Sequence, residues 1–437
     1  MAGPRSLFHT HWVRYHPKLP EVKKKVATYF SKTPNRPTDP TYFQALHKAG
    51  CEFRVPRVRP LHINDSIRCF QHTNKSPGLP YTLEGFKRKD EVPPQRIKHY
   101  VHNLKYGIYS RCDTPCTAAV KTMVAKRPKF RLIWVYPAHM TFAEGMFANP
   151  LIKAYQEKRG SYGLWLSFAK GDMRYLMSTR RPHNKWLGAD WSGFDTTIPA
   201  WLIRDAFDIL RDNIDFTRYK DWGVPTDPDT LPRLWDRIIK YFIDTPIRFQ
   251  DGLVVKKHRG VPSGSYFTNL IDSVVSCIVW HYLLPNEKGK RFYVGDDALI
   301  ELSSSLDLKD LAARAHTFFG MNLNPDKSEI GDHVSFLGYS MGPDGRPHAD
   351  YDKLVAQLLL PSRPDHSFLE FCSRARALQL SCFGLGCWQF TVEVQSFLDD
   401  LGPNFQPRLH SRDDIMTKLE ALDLAHWPPL HSVMLRV

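Results

Sequence analysis

Two apolar strands that end in acids constrain the fold of this 437-residue chain more than any other feature. Phe292-Tyr293-Val294 and Ala298-Leu299-Ile300 flank Gly295-Asp296-Asp297, the pattern of two strands joined by a tight turn. Trp186-Leu187-Gly188-Ala189 is another short apolar run, a buried strand, and it ends in Asp190. A carboxylate at a strand end reaches a cleft without burying its charge in the core. Acids also cap helices and fill ordinary hairpins, so each site taken alone is unremarkable. If both turns lie at the same edge of one sheet, Asp190 and Asp296 form a hard-oxygen site suited to Mg²⁺.

The surrounding pattern predicts a small α+β sheet domain. Pro199 to Leu210 has helical apolar spacing with proline at its start, and Leu308 to Phe319 is a second amphipathic helix. Val334 to Met341 and a strand near His348 flank Pro343-Asp344-Gly345, which predicts another hairpin. Prolines and basic residues punctuate the first 130 or so positions, which read as loops and short helices laid over another core. The last 75 or so residues read as mainly helical.

Charge adds a second constraint. The formal net charge is +15, yet residues 1–135 hold 26 Lys/Arg against 8 Asp/Glu, while the rest of the chain holds 34 against 37. The basic excess therefore sits in the N-terminal third and points to a polyanion, nucleic acid or an anionic membrane surface. Met1 to Pro20 has no apolar h-region, so no secretory signal is expected. The most apolar window, Phe267–Leu284, contains Asn269, Asp272 and several serines, so no membrane span is expected. The eight cysteines show no paired spacing that would build a disulfide framework, which fits a reducing, intracellular setting. Cys112 and Cys116 are at most half of a zinc site, with no second pair or His cluster to complete it.

Two further segments carry chemistry. Ser263-Gly-Ser-Tyr-Phe-Thr-Asn269 follows the loop Arg259–Pro262 and opens a helix whose apolar side holds Phe267, Leu270, Ile271, Val274, Val275 and Ile278. A serine there is an expected cap, but the Asn269 amide can hydrogen-bond a ribose 2′-hydroxyl, which is donor and acceptor at once. In Lys126-Arg-Pro-Lys-Phe-Arg-Leu-Ile-Trp-Val135, Lys129 and Arg131 alternate with Phe130 and Leu132. On a strand that puts the two cations on one face, as a triphosphate clamp or as a solvated edge.

Taken in order, D-x₄-D, SG-x₃-TN and GDD resemble motifs A, B and C of viral RNA-dependent RNA polymerases. Their spacing is 68 residues from Asp195 to Ser263 and 26 from Asn269 to Gly295. Ser76-Pro-Gly-Leu-Pro-Tyr81 looks like motif G, Lys126 to Arg131 like motif F, Asn324-Pro-Asp-Lys327 like the motif D lysine region and Phe336-Leu-Gly-Tyr339 like motif E. The wording Asp190-Trp-Ser-Gly-Phe-Asp195, Val261-Pro-Ser-Gly-Ser-Tyr-Phe-Thr268 and Val294-Gly-Asp-Asp297 is similar to that of partitiviruses and other two-segment double-stranded RNA viruses. The likeness spans roughly residues 76–345.

The resemblance implies an α+β right-hand polymerase of fingers, palm and thumb, with an antiparallel palm sheet flanked by helices. It divides the chain into an N-terminal extension with fingertips (1–75), fingers (76–184), palm with motif A (185–210), a fingers insertion (211–255), palm with motifs B to E (256–345) and thumb (346–437). The implied activity is RNA-directed RNA polymerisation from nucleoside triphosphates, by two-metal nucleotidyl transfer that replicates and transcribes a viral genome. Asp190 and Asp296 would ligate Mg²⁺, with Mn²⁺ the alternative ion and Asp297 assisting. Asp195 and Asn269 would sense the ribose 2′-hydroxyl. Ser263 and Gly264, in the motif with Thr268, would shape a mobile loop beneath the templating base. Arg131, with Lys129 or Lys126, would hold the triphosphate. Lys327 would protonate pyrophosphate, and Ser76, Pro77 and Gly78 would border the template channel. The implied partners are template and product RNA, nucleoside triphosphates and the viral capsid protein, with the enzyme a monomer in the virion interior and host cytoplasm and no membrane partner.

Other readings are weaker. A reverse transcriptase shares the paired acids but usually has a bulky ribose-excluding residue at the position of Asp195. A basic RNA-packaging protein explains the charge but not three acid-bearing motifs in order. A P-loop motor is disfavoured because G-x₄-G-K-[ST] does not occur.

Overall fold

A computed structural model describes residues 11–108, 113–382 and 386–402. Its centre is a four-stranded antiparallel sheet of β3 (Lys185–Ala189), β6 (Arg291–Val294), β7 (Asp297–Leu302) and β8 (Glu329–Gly331), in the order β8-β3-β7-β6. Both faces of this sheet are covered. Leu187, Tyr293, Ala298 and Ile300 enter the main core, while Trp186, Phe292 and Leu299 enter a second core with Val334 and Phe336. Double burial explains why these strands read as apolar runs and not as alternating ones. Gly188 is needed here, because a Cβ on it would lie 2.7 Å from the Ser335 carbonyl oxygen.

A second sheet extends the hand. β1 (Cys116–Thr122) and β2 (Phe130–Val135) form an antiparallel ribbon, with Lys121 opposite Arg131. The hairpin of β4 (Pro246–Arg248) and β5 (Val254–Lys256) joins it, β4 running parallel to β1. The helices α1 (Pro40–Glu52), α2 (Ala138–Glu157), α3 (Ala200–Arg211), α4 (Thr230–Ile243), α5 (Thr268–Leu283) and α6 (Leu308–Phe319) wrap the main core. The N-terminal segments thus contribute to a shared core, as their broken pattern predicts.

The helices expected at Pro199–Leu210 and Leu308–Phe319 form as α3 and α6, the latter closed by Asp307 accepting from the Lys309 amide and by Gly320 at φ +67°. Helix α5 departs from the amphipathic expectation. Leu270 to Leu283 are all buried, because the helix lies under the sheet with α1 and α3 against its other sides. The expected single hairpin over 334–348 is three strands, Val334–Phe336, Tyr339–Met341 and Pro347–His348, since Leu337 and Gly338 both take positive φ and fold the first pair on themselves. Three helices follow, Tyr351–Leu359, Phe368–Leu380 and Trp388–Asp399, packed on their own core. Arg14 closes the hand: its Nε donates to the Leu360 carbonyl at 2.7 Å and its Nη1 to Thr122 at 3.0 Å. The half-site expectation at Cys112 and Cys116 is only partly within view. Cys112 lies outside the described residues, and Cys116 is a core thiol 3.5 Å from the Tyr241 hydroxyl.

Candidate active site

Strand register brings the acids together. In the β3–β7 ladder Ala189 pairs with Ala298, so Asp190 falls one step further on, opposite Asp297. In the β6–β7 hairpin Val294 pairs with Asp297, leaving Gly295 and Asp296 as the two-residue turn. Gly295 has φ +66°, which suits glycine at the first turn position. Directly opposed residues of an antiparallel pair share a face about 5 Å apart. Asp190, Asp296 and Asp297 therefore occupy one edge of one sheet.

Backbone contacts fix that edge. The Asp190 amide donates to Ser328 Oγ at 3.1 Å and its carbonyl accepts from the Asn324 amide at 2.8 Å. The Gly295 amide donates to Ser273 Oγ at 2.8 Å, tying the acidic turn to α5.

The electrostatics show how crowded the cluster is. Burial, then Asp296 and Asp190, push Asp297 up to about 7, while Arg131 pulls it down. Asp195 is pushed up to about 6 by burial and Asp296, with Arg131 and Lys25 opposing. Asp272, on α5, is held well above the usual carboxylate range by burial, Asp195 and Asp296. Its Oδ1 is buried without a partner. Mutual repulsion among carboxylates is what a bound divalent cation relieves, and an all-oxygen donor set fits Mg²⁺ or Mn²⁺.

The sequence-derived residues separate into groups. Asp190, Asp195, Asp296, Asp297 and Arg131 act on one another, as above. Asn269 lies beside the acidic turn, its Oδ1 accepting from the Tyr162 hydroxyl at 2.6 Å. Among the described hydrogen bonds it does not join Asp195; Asp272, one turn further along α5, is the α5 group that feels the charge of Asp195. Lys126 instead lies over the Trp12 ring, 5.5 Å from its centroid, and Lys129 is exposed just before β2. Lys327 is exposed in the turn before β8, its amide bonded to the Asn324 carbonyl.

The Ser263–Thr268 loop is docked on β2. The Trp134 amide donates to the Ser263 carbonyl at 2.9 Å, and Thr268 Oγ1 donates to the Pro262 carbonyl at 2.9 Å, closing the loop on itself. Gly264 has φ +148°, and a Cβ there would lie 2.1 Å from the Trp134 carbonyl oxygen. Gly264→Ala is therefore expected to displace the loop, costing about 2–4 kcal/mol of stability. Thermal unfolding checks this, and an unchanged midpoint would show that the loop is not held so closely.

Ser76, Pro77 and Gly78 form a loop against the start of α2. The Ala138 amide donates to the Pro77 carbonyl at 2.7 Å, and a Cβ on Gly78 would lie 2.6 Å from the Tyr136 carbonyl oxygen. The buried Lys89 donates to the Ser76 carbonyl at 2.5 Å. Lys89 and Lys105 are largely buried, so part of the N-terminal basic excess holds the fold and does not face a ligand.

Sequence reasoning missed Asp272, Lys25 and Glu144. Glu144, on α2, is fully buried, accepts from the Tyr266 amide at 2.8 Å and lies 2.9 Å from Ser265 Oγ. The only trace of these groups is a polar residue within an apolar helix, as at Asp272 and Glu144.

The family model for viral RNA-dependent RNA polymerase matches residues 8–380. The RNA-directed RNA polymerase of Cryptosporidium parvum virus 1 (strain KSU-1) is 30% identical over 285 residues, covering 59% of this chain and 52% of that protein. That of Atkinsonella hypoxylon virus (isolate 2H) is 26% identical over 332 residues, covering 60% and 50%. The chain spans about half the length of these curated relatives. By structure it is similar to the Sicinivirus 3Dpol RNA-dependent RNA polymerase, with TM-score 0.72, 15% identity and coverage of 96% and 94%. It is also similar to the RNA-dependent RNA polymerase of a human picobirnavirus, with TM-score 0.66, 17% identity and coverage of 88% and 73%. These likenesses give the right-hand polymerase fold that the central sheet and its flanking helices build. With its acids gathered at one sheet edge and the family model spanning most of its length, the chain belongs to the viral RNA-dependent RNA polymerases, on their partitivirus side.

Proposed function

We propose that this chain is a template-directed RNA polymerase that copies and transcribes a viral RNA genome from nucleoside triphosphates. The observation that carries the reading is the β3–β7 register, which sets Asp190 beside Asp297 at the turn that holds Asp296. These three acids would hold Mg²⁺, or Mn²⁺ in its stead; when bound, the ions activate the attacking 3′-oxygen and stabilise the leaving oxygen. Arg131 is the cation of the ribbon that opposes the acids' charge, so it binds the triphosphate, with Lys129 and Lys126 guiding phosphates from further out. Lys327 is the proton donor to pyrophosphate. The loop of Ser263, Gly264 and Thr268 bears on the templating base, and Ser76–Gly78 line the template path.

In this reading residues 76–184 and 211–255 are fingers, 185–210 and 256–345 palm, 346–437 thumb, and 1–75 the fingertip extension. RNA and nucleoside triphosphates are the ligands, the capsid protein is the partner in the virion, and the enzyme works as a monomer in the particle and the host cytoplasm. Among the described residues no helix is long and apolar enough to cross a membrane.

Ribose selection rests on Asp195. Asp195 bears on Asp272, whose carboxyl burial and the neighbouring acids hold well above the usual range, and Asn269 lies beside the acidic turn, so the group offers a donor and acceptors to a 2′-hydroxyl. Asp195→Ala is expected to reduce the preference for ribo- over deoxyribonucleotides by about tenfold to a hundredfold, the worth of one charged hydrogen bond. The ratio of kcat/KM for the two nucleotide types measures it, and an unchanged ratio would remove Asp195 from the ribose site. The activity itself is tested by polymerisation on single- and double-stranded RNA, with and without primer. Absence of template-dependent product under all four conditions would refute it.

A further inference from the structure

Away from the acidic edge, three donor atoms of different chemistry converge. Cys277 and His281 are four residues apart on one face of α5, and Glu52 ends α1, which packs alongside. His281 Nε2 lies 2.7 Å from Glu52 Oε1, and Cys277 Sγ lies 3.4 Å from Glu52 Oε2. All three donor atoms fall within 4.8 Å of one another. Cys277 and His281 are buried, whereas Glu52 and His281 also line a cavity of about 660 Å³ at the far end of the β6–β7 hairpin from Asp296.

We propose that Glu52, Cys277 and His281 form a zinc site that ties α1 to α5, with water from the adjoining cavity as the fourth ligand. An imidazole, a thiolate and a carboxylate are the donor set that zinc takes, and three protein ligands beside a wet cavity leave one position open. Mg²⁺, which prefers oxygen ligands, is a poor match. Tetrahedral bonds of about 2.0–2.3 Å place donor atoms roughly 3.2–3.6 Å apart. Cys277 Sγ already has that spacing to Glu52 Oε2, His281 Nε2 reaches it to Oε1 by opening about half an ångström, and Cys277 Sγ and His281 Nε2, within 4.8 Å of each other, would draw together on the ion. In the metal-free fold the His281 Nε2–H donates to Glu52, and zinc binding at Nε2 moves that proton to the unpartnered Nδ1. Burial lowers the His281 imidazole and raises the Cys277 thiol, so both lean toward their uncharged forms beside Glu52. On binding, the Cys277 thiol loses its proton to solvent, and the two anionic ligands balance the dication with no change of oxidation state.

The alternative is a closed hydrogen-bonded triad, in which the thiol and imidazole both donate to Glu52. Cobalt(II) distinguishes the two when added to the chelator-stripped full chain, with excess Mg²⁺ to occupy the acidic edge. The expected result is one equivalent bound with a thiolate-to-cobalt charge-transfer band, displaced by Zn²⁺, and a melting temperature raised by zinc. The band should persist in Asp296→Ala and vanish in Cys277→Ser. If Cys277→Ser does not fold, His281→Gln gives the same comparison, with cobalt affinity expected to fall at least about tenfold. No charge-transfer band in the wild type would overturn the site. So would a band that survives Cys277→Ser, since it would belong to another thiol such as Cys51, which lies 3.7 Å from His47 Nε2 on the same cavity. Unchanged cobalt affinity in His281→Gln would overturn it as well.

Discussion

Asp296→Ala should abolish polymerisation, a loss of at least about a thousandfold, while leaving the fold intact. The stated loss is the order expected when a group that stabilises charge only in the transition state is removed. Structure should survive because Asp296 is exposed in a two-residue turn, where its side chain holds no part of the core. Its charge in fact burdens its neighbours, raising Asp195, Asp297 and Asp272 together. Removing it should therefore leave stability unchanged or raise it by about 0.5–1 kcal/mol. Labelled nucleotide incorporation on a primed template, run beside a thermal melt, reads both effects. Activity within tenfold of wild type would show that the acidic edge is not the reacting centre. Lost activity with a lowered melting point would instead make Asp296 a structural residue.

Asp190 and Asp296 were legible in the sequence because each follows a short apolar run and the acid-bearing motifs come in a set order, since either acid alone could be an ordinary cap or turn residue. The helices α3 and α6 were legible from their apolar period, α3 also from the proline at its start. The partners that complete the site were not. Asp272 follows Ile271 within an apolar stretch, and nothing local says that Asp195 and Asp296 bear on it across the sheet edge. Asn269 drew the ribose role because its amide can bond a 2′-hydroxyl, and in the structure that amide's oxygen accepts from Tyr162. The ribbon cations were indistinguishable by alternation alone. The strand begins only at Phe130, so Lys129 precedes it, and Lys126 is drawn to Trp12, both consequences of tertiary placement. Periodicity also misjudged α5, because amphipathic spacing cannot register a helix enclosed on every side.

Glu144→Gln should make the protein more stable than wild type above about pH 8 and leave it equal near pH 5. The cause is a carboxyl that burial pushes up to about 8, against the partial relief of hydrogen bonds from Tyr266 and Ser265. In the unfolded chain the same group ionises near its ordinary 4.5. A folded pKa above the unfolded one means that the folded state keeps a proton the unfolded state has lost. The stability Glu144 contributes is thus fully present below about 4.5 and is lost as pH rises through about 8. The shift sets an upper bound of about 5 kcal/mol on the change across that window. Glutamine mimics the protonated acid, its amide donating to Ser265 Oγ and its carbonyl accepting from the Tyr266 amide. The acidic edge titrates in the same window, but it does so in both proteins, so the difference between their melting curves isolates Glu144. That difference should open from about pH 5 and level off above about pH 8. Glu144→Ala should be destabilised by about 3–5 kcal/mol near pH 5, because it leaves the Tyr266 amide without its acceptor and the Ser265 hydroxyl without its own beside a cavity, and the gap to wild type should narrow as pH rises. Parallel melting-temperature profiles for wild type and Glu144→Gln would mean that Glu144 is ionised in the fold. The serine loop would then be anchored by a buried carboxylate and not by a neutral acid.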